Sequence, residues 1–289
     1  TTEIYTLSLH DALPICFILF EQLGLAMHNY HDTFRTLPPT TINPGVANCD
    51  GVFPATATIM NHTAYMFLLP FMEQNAIFEQ INFSVPSGHA RHTTGCTRTT
   101  LTTWPNVTAL DAQVPVFLCP SDPLFDTPRT ATAPGVYSLN RAHRTSYGFV
   151  SSQIEQATGW GLPFKSINDQ FKSAWWHNGA ARVGDIIDGT SNTMLMIETP
   201  LRKQSASYGP FWNQYAHTMY IVPARGLNLP HPTVPPQPYV YAWGAGSMHP
   251  GGLQMISGDA SVRFISDSTD MAIVRSLVSI GGGEVIGEF

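Results

Sequence analysis

Charge is what this chain lacks most. Asp, Glu, Lys and Arg make up 12% of its residues, about half the ~25% usual for soluble domains. Lys and Arg number 14 against 20 acidic residues, a net charge of -6, and no basic cluster occurs anywhere. Nucleic acid is excluded as a partner, because binding its phosphates needs a basic footprint. No run of about 18 apolar residues is present either, so none of the 289 residues forms a segment able to span a bilayer alone. The four cysteines, Cys16, Cys49, Cys96 and Cys119, form no C-x-x-C pair, which removes the zinc-knuckle and thioredoxin-type signatures. A nucleophile elbow is missing too. Both Gly246-Ser247-Met248-His249 and Gly189-Thr190-Ser191 miss the G-x-S-x-G spacing. The expectation is a non-enzymatic protein with no cofactor.

Thr, Asn, 23 Gly and 23 Pro supply the polarity that charge does not, which favours a loop-rich fold containing strands. The length is ample for one sizeable core. An even cysteine count in a Lys-poor chain fits an oxidising compartment.

From Cys16 an apolar stripe steps through Phe20, Leu23, Met27, Tyr30 and Phe34, with Glu21, Gln22, Asn29 and Asp32 off it. This predicts an amphipathic helix, ended by Leu37-Pro38-Pro39 because Pro cannot continue the ladder. Pro70 suits the first turn of a second helix through about Ile81. Strands are predicted at 114–119, 146–151, 193–198, 217–222, 253–257 and 261–265, the last two close enough for a hairpin. A short helix from Met271 to Ile280 is capped by the Asp267–Asp270 stretch and closed by Gly281-Gly282-Gly283. A helix followed by strands with little alternation argues α+β, an N-terminal helix packed on an antiparallel sheet with long loops.

Several residue groups are candidates for chemistry. His249 and Asp259 supply two thirds of a triad without a nucleophile, and ten residues of largely extended chain keep them apart. They read as two turn devices at either end of one strand. His89, His92, Cys49 and Cys96 are a conceivable zinc set with no recognised spacing, and a Cys49–Cys96 disulfide pinning two loops is preferred over it. Asp185, Asp188 and Asn192 are oxygen-rich and form a calcium candidate outside the EF-hand pattern, against the reading that Asp188-Gly189 makes a turn before the 193–198 strand. Trp160, Trp175, Trp176, Trp212 and Trp243, with Tyr208, Tyr215, Tyr220, Tyr239 and Tyr241, either line a binding surface or fill a core short of aliphatics. Both readings stand.

Six ordered segments carry a resemblance: "QLGLAMHNYHDTFRTLPP" (22–39), "LLPFMEQNAIFEQINFS" (68–84), "VPVFLCPSDP" (114–123), "IIDGTSNTMLMIE" (186–198), "MHPGGLQMISGDASVRFISDSTD" (248–270) and "GGEVIGEF" (282–289). Together they resemble the planctomycete-type prepilin-like family known as domain of unknown function 1559, which carries an H-x9-D-G signature. The resemblance implies a type IV pilin-like architecture, with an N-terminal helix cleaved and methylated by a prepilin peptidase. It implies other pilin-like or secretion-system subunits as partners, and a membrane contact through an N-terminal anchor. The location implied is the cell envelope, anchored at the inner membrane or exported to the periplasm or surface. It implies no activity. Here Ala260 stands where the signature has Gly, and the turn is expected to move to Gly258-Asp259. The rival expectation is an envelope solute- or glycan-binding module using the aromatic loops of 160–243.

Residues 1–15, "TTEIYTLSLHDALPI", read back into codons as a common short-read sequencing adapter. They are expected to be an assembly artefact standing where the apolar anchor belongs. Cys16 overlaps the junction codon and is itself suspect. The remainder, 16–289, is expected to be a single pilin-like domain, with 16–37 the exposed part of the helix and 38–289 the sheet and loops.

Overall fold

The computed structural model describes residues 9–45, 59–90, 106, 110–122, 128–133, 137–152, 163–168, 171–203, 208–215, 219–230, 240–284 and 286. It opens on helix α1 (Leu9–Phe34). The short pair β1 (Thr41–Ile42) and β2 (His62–Thr63) follows, then α2 (Ala64–Leu68), a 3-10 turn at Leu69–Met72, and α3 (Asn75–Phe78). β3 (His89–Ala90), β4 (Arg129–Ala133) and β5 (Tyr137–Ala142) form a small sheet in the order β3-β5-β4. β7 (Trp175–Trp176) and β8 (Gly179–Ala180) form a hairpin. The main sheet combines β6 (Tyr147–Val150), β9 (Met194–Glu198), β10 (Tyr220–Ile221), β11 (Gly252–Ser257) and β12 (Val262–Ser266), in the order β10-β6-β9-β11-β12. Helix α4 (Met271–Ser276) comes last, with the Asp270 carboxylate accepting from the Ala272 N–H at 2.7 Å.

The class is α+β, and most strand pairs are antiparallel. One edge departs from the expectation: β10 runs parallel to β6. The chain travels some seventy residues between them, ample for the crossover a parallel pair needs.

The main sheet is covered on both faces. Alternation sends Tyr147, Phe149, Met196, Tyr220 and Ile256 to one side, where they join Phe20, Leu23 and Met27 of α1 in the larger core. Ile197, Ile221, Leu253, Met255 and Ile265 point the other way, onto Val274 and Leu277 of the α4 region. The helical stripe accounts for the docking of α1: Cys16, Phe20, Leu23, Ala26 and Met27 are fully buried. Phe34, the last residue of the predicted stripe, is 56% exposed, with its ring tilted against Tyr30 and edge-on to Phe71.

Three predicted elements differ. The α1 stop precedes the prolines: Arg35 takes φ 61 and its N–H bonds the His31 carbonyl, a left-handed termination. The single helix expected from Pro70 to Ile81 is broken, because Glu73 adopts φ 59 and donates back to Leu69. The strand expected at 114–119 is a 3-10 turn over Pro115–Phe117 between extended Val114 and Leu118. Pro115 has no N–H for a ladder. Among the described residues, no helix is long and apolar enough to cross a membrane.

Candidate functional site

The end of the central strand β9, beneath the first turns of α1, gathers the chemistry. β9 is apolar from Met194 to Ile197 and then delivers Glu198, 1% exposed, on the α1 side of the sheet. A buried carboxylate needs partners. It accepts the Gln254 N–H at 2.7 Å and lies 3.0 Å from His249 Nε2. Burial pushes the Glu198 pKa up, and the hydrogen bond from His249 and the Gln254 amide oppose that push.

His249 arrives from the loop before β11, and the loop is built to hold it. Asn228 Oδ1 accepts the Ser247 N–H, Ser247 Oγ bonds the Gly252 carbonyl, and the His249 N–H bonds Ser247 Oγ. Gly251 at φ 77 lets the segment turn back. The ring therefore reaches sideways to β9. Its Nε2 also lies 3.6 Å from Sγ of Cys119.

Cys119 follows the 3-10 turn and is bonded to Cys16 in a disulfide spanning 103 residues. The Cys16 side chain is wholly buried and staples α1 to the body of the domain. Its partner could not be foreseen from spacing, since only the turn at 115–117 carries Cys119 beneath the helix. Cys49, Cys96 and His92 lie outside the described residues, and with them the expected Cys49–Cys96 bridge and the zinc alternative. His89 sits in β3, paired in register with Ser138.

Asp259 stands at the other end of β11 from His249. Its Oδ1 accepts from the Ser261 N–H and hydroxyl, an Asx-type turn. Ser257 O accepts the Ala260 N–H, and Ala260 itself is at φ 66. The loop is thus a three-residue turn closed by a left-handed residue. The positive φ falls on Ala260 rather than on Gly258, which corrects the expected Gly-first turn.

The carboxylates of both calcium candidates accept hydrogen bonds from the protein. Asp185 accepts the Arg182 N–H at 2.8 Å. Asp188 accepts the Ser279 hydroxyl and the N–H groups of Gly282 and Gly283. Asp188 is the clamp on the Gly-rich C-terminal segment, and Gly189 at φ 95 makes the turn into β9 that only glycine enters readily.

The aromatics divide. Trp175 and Trp176 are fully buried and Trp212 is 1% exposed. The indole N–H groups of Trp175 and Trp212 donate to the carbonyls of Val150 and Ala112. These three fill the core, which corrects their place among surface candidates. Trp243 and Tyr241 lie at a cleft of about 430 Å³, with Arg225, Leu229 and Pro230 also on its walls. The Arg225 guanidinium sits 5.1 Å from the Trp243 ring. Trp160 and Tyr239 fall outside the described residues.

What the geometry defines is an α+β domain whose first helix is stapled to Cys119 by a disulfide that lies beside a buried His–Glu pair. The model of the family described as "Protein of unknown function (DUF1559)" matches residues 16–272, and the chain belongs to that family. No curated protein and no solved structure matches it.

Proposed function

We propose that this chain is a non-enzymatic, pseudopilin-like subunit of the cell envelope that assembles with other pilin-like or secretion-system subunits. The observation that carries the reading is the outer face of α1. One face of the helix is sealed against the sheet, while Ile18 and Leu25, one heptad apart, are 51% and 60% exposed. A helix docked by one apolar stripe and displaying another is suited to packing beside neighbouring helices. In this reading an upstream apolar segment anchors the protein, and the sheet loops face outward.

The test is photo-crosslinking in cells from a reactive side chain at Ile18 or Leu25, with Ala272 as the control position. Adducts at 18 and 25 containing a second copy or another pilin-like subunit are expected, with the chain in the envelope fraction. A monomer at every position, in the soluble fraction, defeats the reading.

A second reading, a solute- or glycan-binding module, is favoured by the cleft at Trp243, where an aromatic face and a guanidinium share one concavity. Saturable quenching of tryptophan fluorescence by oligosaccharides, lost in Trp243→Ala, is its expected sign.

A further inference from the structure

Four metal-binding atoms from four separate segments meet at one buried point. Sγ of Cys16, Sγ of Cys119, Nε2 of His249 and a carboxylate oxygen of Glu198 all lie within 4.8 Å of one another. Among the described residues, no other three or more His, Cys, Asp or Glu side chains converge in this way. Tetrahedral zinc, with Zn–S near 2.3 Å and Zn–N or Zn–O near 2.0–2.1 Å, demands edges of about 3.6 Å between S and N and about 3.3 Å between N and O. The corresponding separations here are 3.6 Å from Cys119 Sγ to His249 Nε2 and 3.0 Å from His249 Nε2 to Glu198 Oε1. The bonded sulfurs stand far closer than a shared metal requires, and the His249–Glu198 pair, hydrogen-bonded to each other, must open by about 0.3 Å to take one in.

We propose that the reduced form of this chain binds one zinc ion through Cys16, Cys119, His249 and Glu198, so that disulfide and metal are alternative fastenings of α1 at the same place. The exchange begins with a dithiol reductant. It passes two electrons and two protons to the Cys16–Cys119 bond, which breaks to two thiols, while the reductant closes its own disulfide. One Zn²⁺ then displaces both thiol protons to solvent and forms two Zn–S bonds, one bond to neutral Nε2 and one to the carboxylate. The Nδ1 of His249 makes no hydrogen bond, which leaves it able to carry the imidazole proton when Nε2 turns its lone pair to the metal. Two thiolates, an imidazole and a single carboxylate form a soft set that selects zinc over calcium or magnesium. The burial of all four residues matches a closed structural site rather than one with an open catalytic position.

The experiment uses the full chain in a Cys49→Ser, Cys96→Ser background, so that only the pair in question has thiols. Reduced under anaerobic conditions and titrated with Co²⁺, it should take up one equivalent. Intense four-coordinate d–d bands and thiolate-to-cobalt charge transfer should appear, and both should vanish when Zn²⁺ is added. The oxidised chain should take up none. Cys119→Ser and His249→Ala should abolish the spectrum, and Glu198→Gln should weaken zinc at least about tenfold. Reduced protein that stays folded by circular dichroism yet shows no cobalt bands overturns the proposal. So does reduced protein that unfolds in saturating zinc, or uptake that is unchanged in His249→Ala.

Discussion

At Ala260 a single methyl group opposes the backbone. The three-residue turn places this residue at φ 66, where a side chain costs roughly 1–2 kcal/mol relative to glycine. Ala260→Gly should therefore raise stability by about 1 kcal/mol in urea unfolding, and an unchanged or lower midpoint would show that the loop closes differently. The H-x9-D-G pattern made the need for glycine legible from sequence, but not which residue carries the positive φ, because that depends on the β11–β12 register. Lys203 is a second residue with a readable penalty. It is 5% exposed, and its ammonium donates to Thr199 Oγ1 and the Gly244 carbonyl. Burial, reinforced by the Arg144 charge and partly offset by Asp122, holds its pKa well below the ordinary lysine value. The unfolded chain then binds more protons than the native one between the folded value and about 10.4, so wild-type stability climbs with pH across that window. Lys203→Met removes the ionisable group. It should stabilise by about 1 kcal/mol at pH 7, with the gain shrinking toward pH 10; thermal melts at several pH values check both halves. Nothing in the sequence around Lys203 signals its burial, since a lone lysine after Leu201-Arg202 reads as surface.

Among the elements, α1 was the most legible, because its 3.6-residue period survives any choice of partner. What it docks on was not. Gly24 faces the β11–β12 turn so closely that an added Cβ would lie 3.1 Å from both Cβ and O of Ala260, and His28 Nε2 lies 3.0 Å from the Gly258 carbonyl. The helix thus reads the hairpin through a notch and a hydrogen bond some 230 residues away in sequence, and no local pattern encodes that distance. Leu23→Asp or Met27→Asp should cost several kcal/mol by placing an unpaired charge in the core. Gly24→Leu should loosen the same interface while leaving the helix intact, visible as faster amide exchange at Ser257–Ser261 with unchanged helical circular dichroism. Equal exchange in Gly24→Leu and wild type would mean the hairpin does not bear on the helix. The misread second helix has the same lesson in reverse: the chain is already helical from Ala64, six residues before Pro70, and Glu73 in the left-handed region ends the run.

For the molecule as a whole, the Cys16–Cys119 bond closes a loop with a sequence separation of 103. On the chain-entropy account a loop of that length is stabilised by roughly 4–5 kcal/mol when bridged. With metal chelated and Cys49 and Cys96 replaced by Ser, reduction should lower stability by about 4 kcal/mol in urea unfolding, and identical midpoints in both redox states would show that the two cysteines are not paired. The α+β class, the terminal helices and most main-sheet strands were visible in the apolar periodicity. The buried site was not, because Cys16, Cys119, Glu198 and His249 belong to four segments brought together only by tertiary packing, and Glu198 looks in sequence like the polar end of an ordinary strand.

The same covalent link sets the path of mechanical load. Tension applied along α1 from its N-terminal side enters the folded body at Cys16 and passes directly to Cys119, beside the central strands. The elements α2, α3 and the small-sheet strand β3, which fall between the two cysteines in sequence, are bypassed by that covalent path and bear little of the pull. Stretching by the helix end should therefore extend the chain in two stages when reduced and free of metal, and in one shorter stage when the bond is closed. The domain is in this sense tethered at its middle, however far upstream the force is applied.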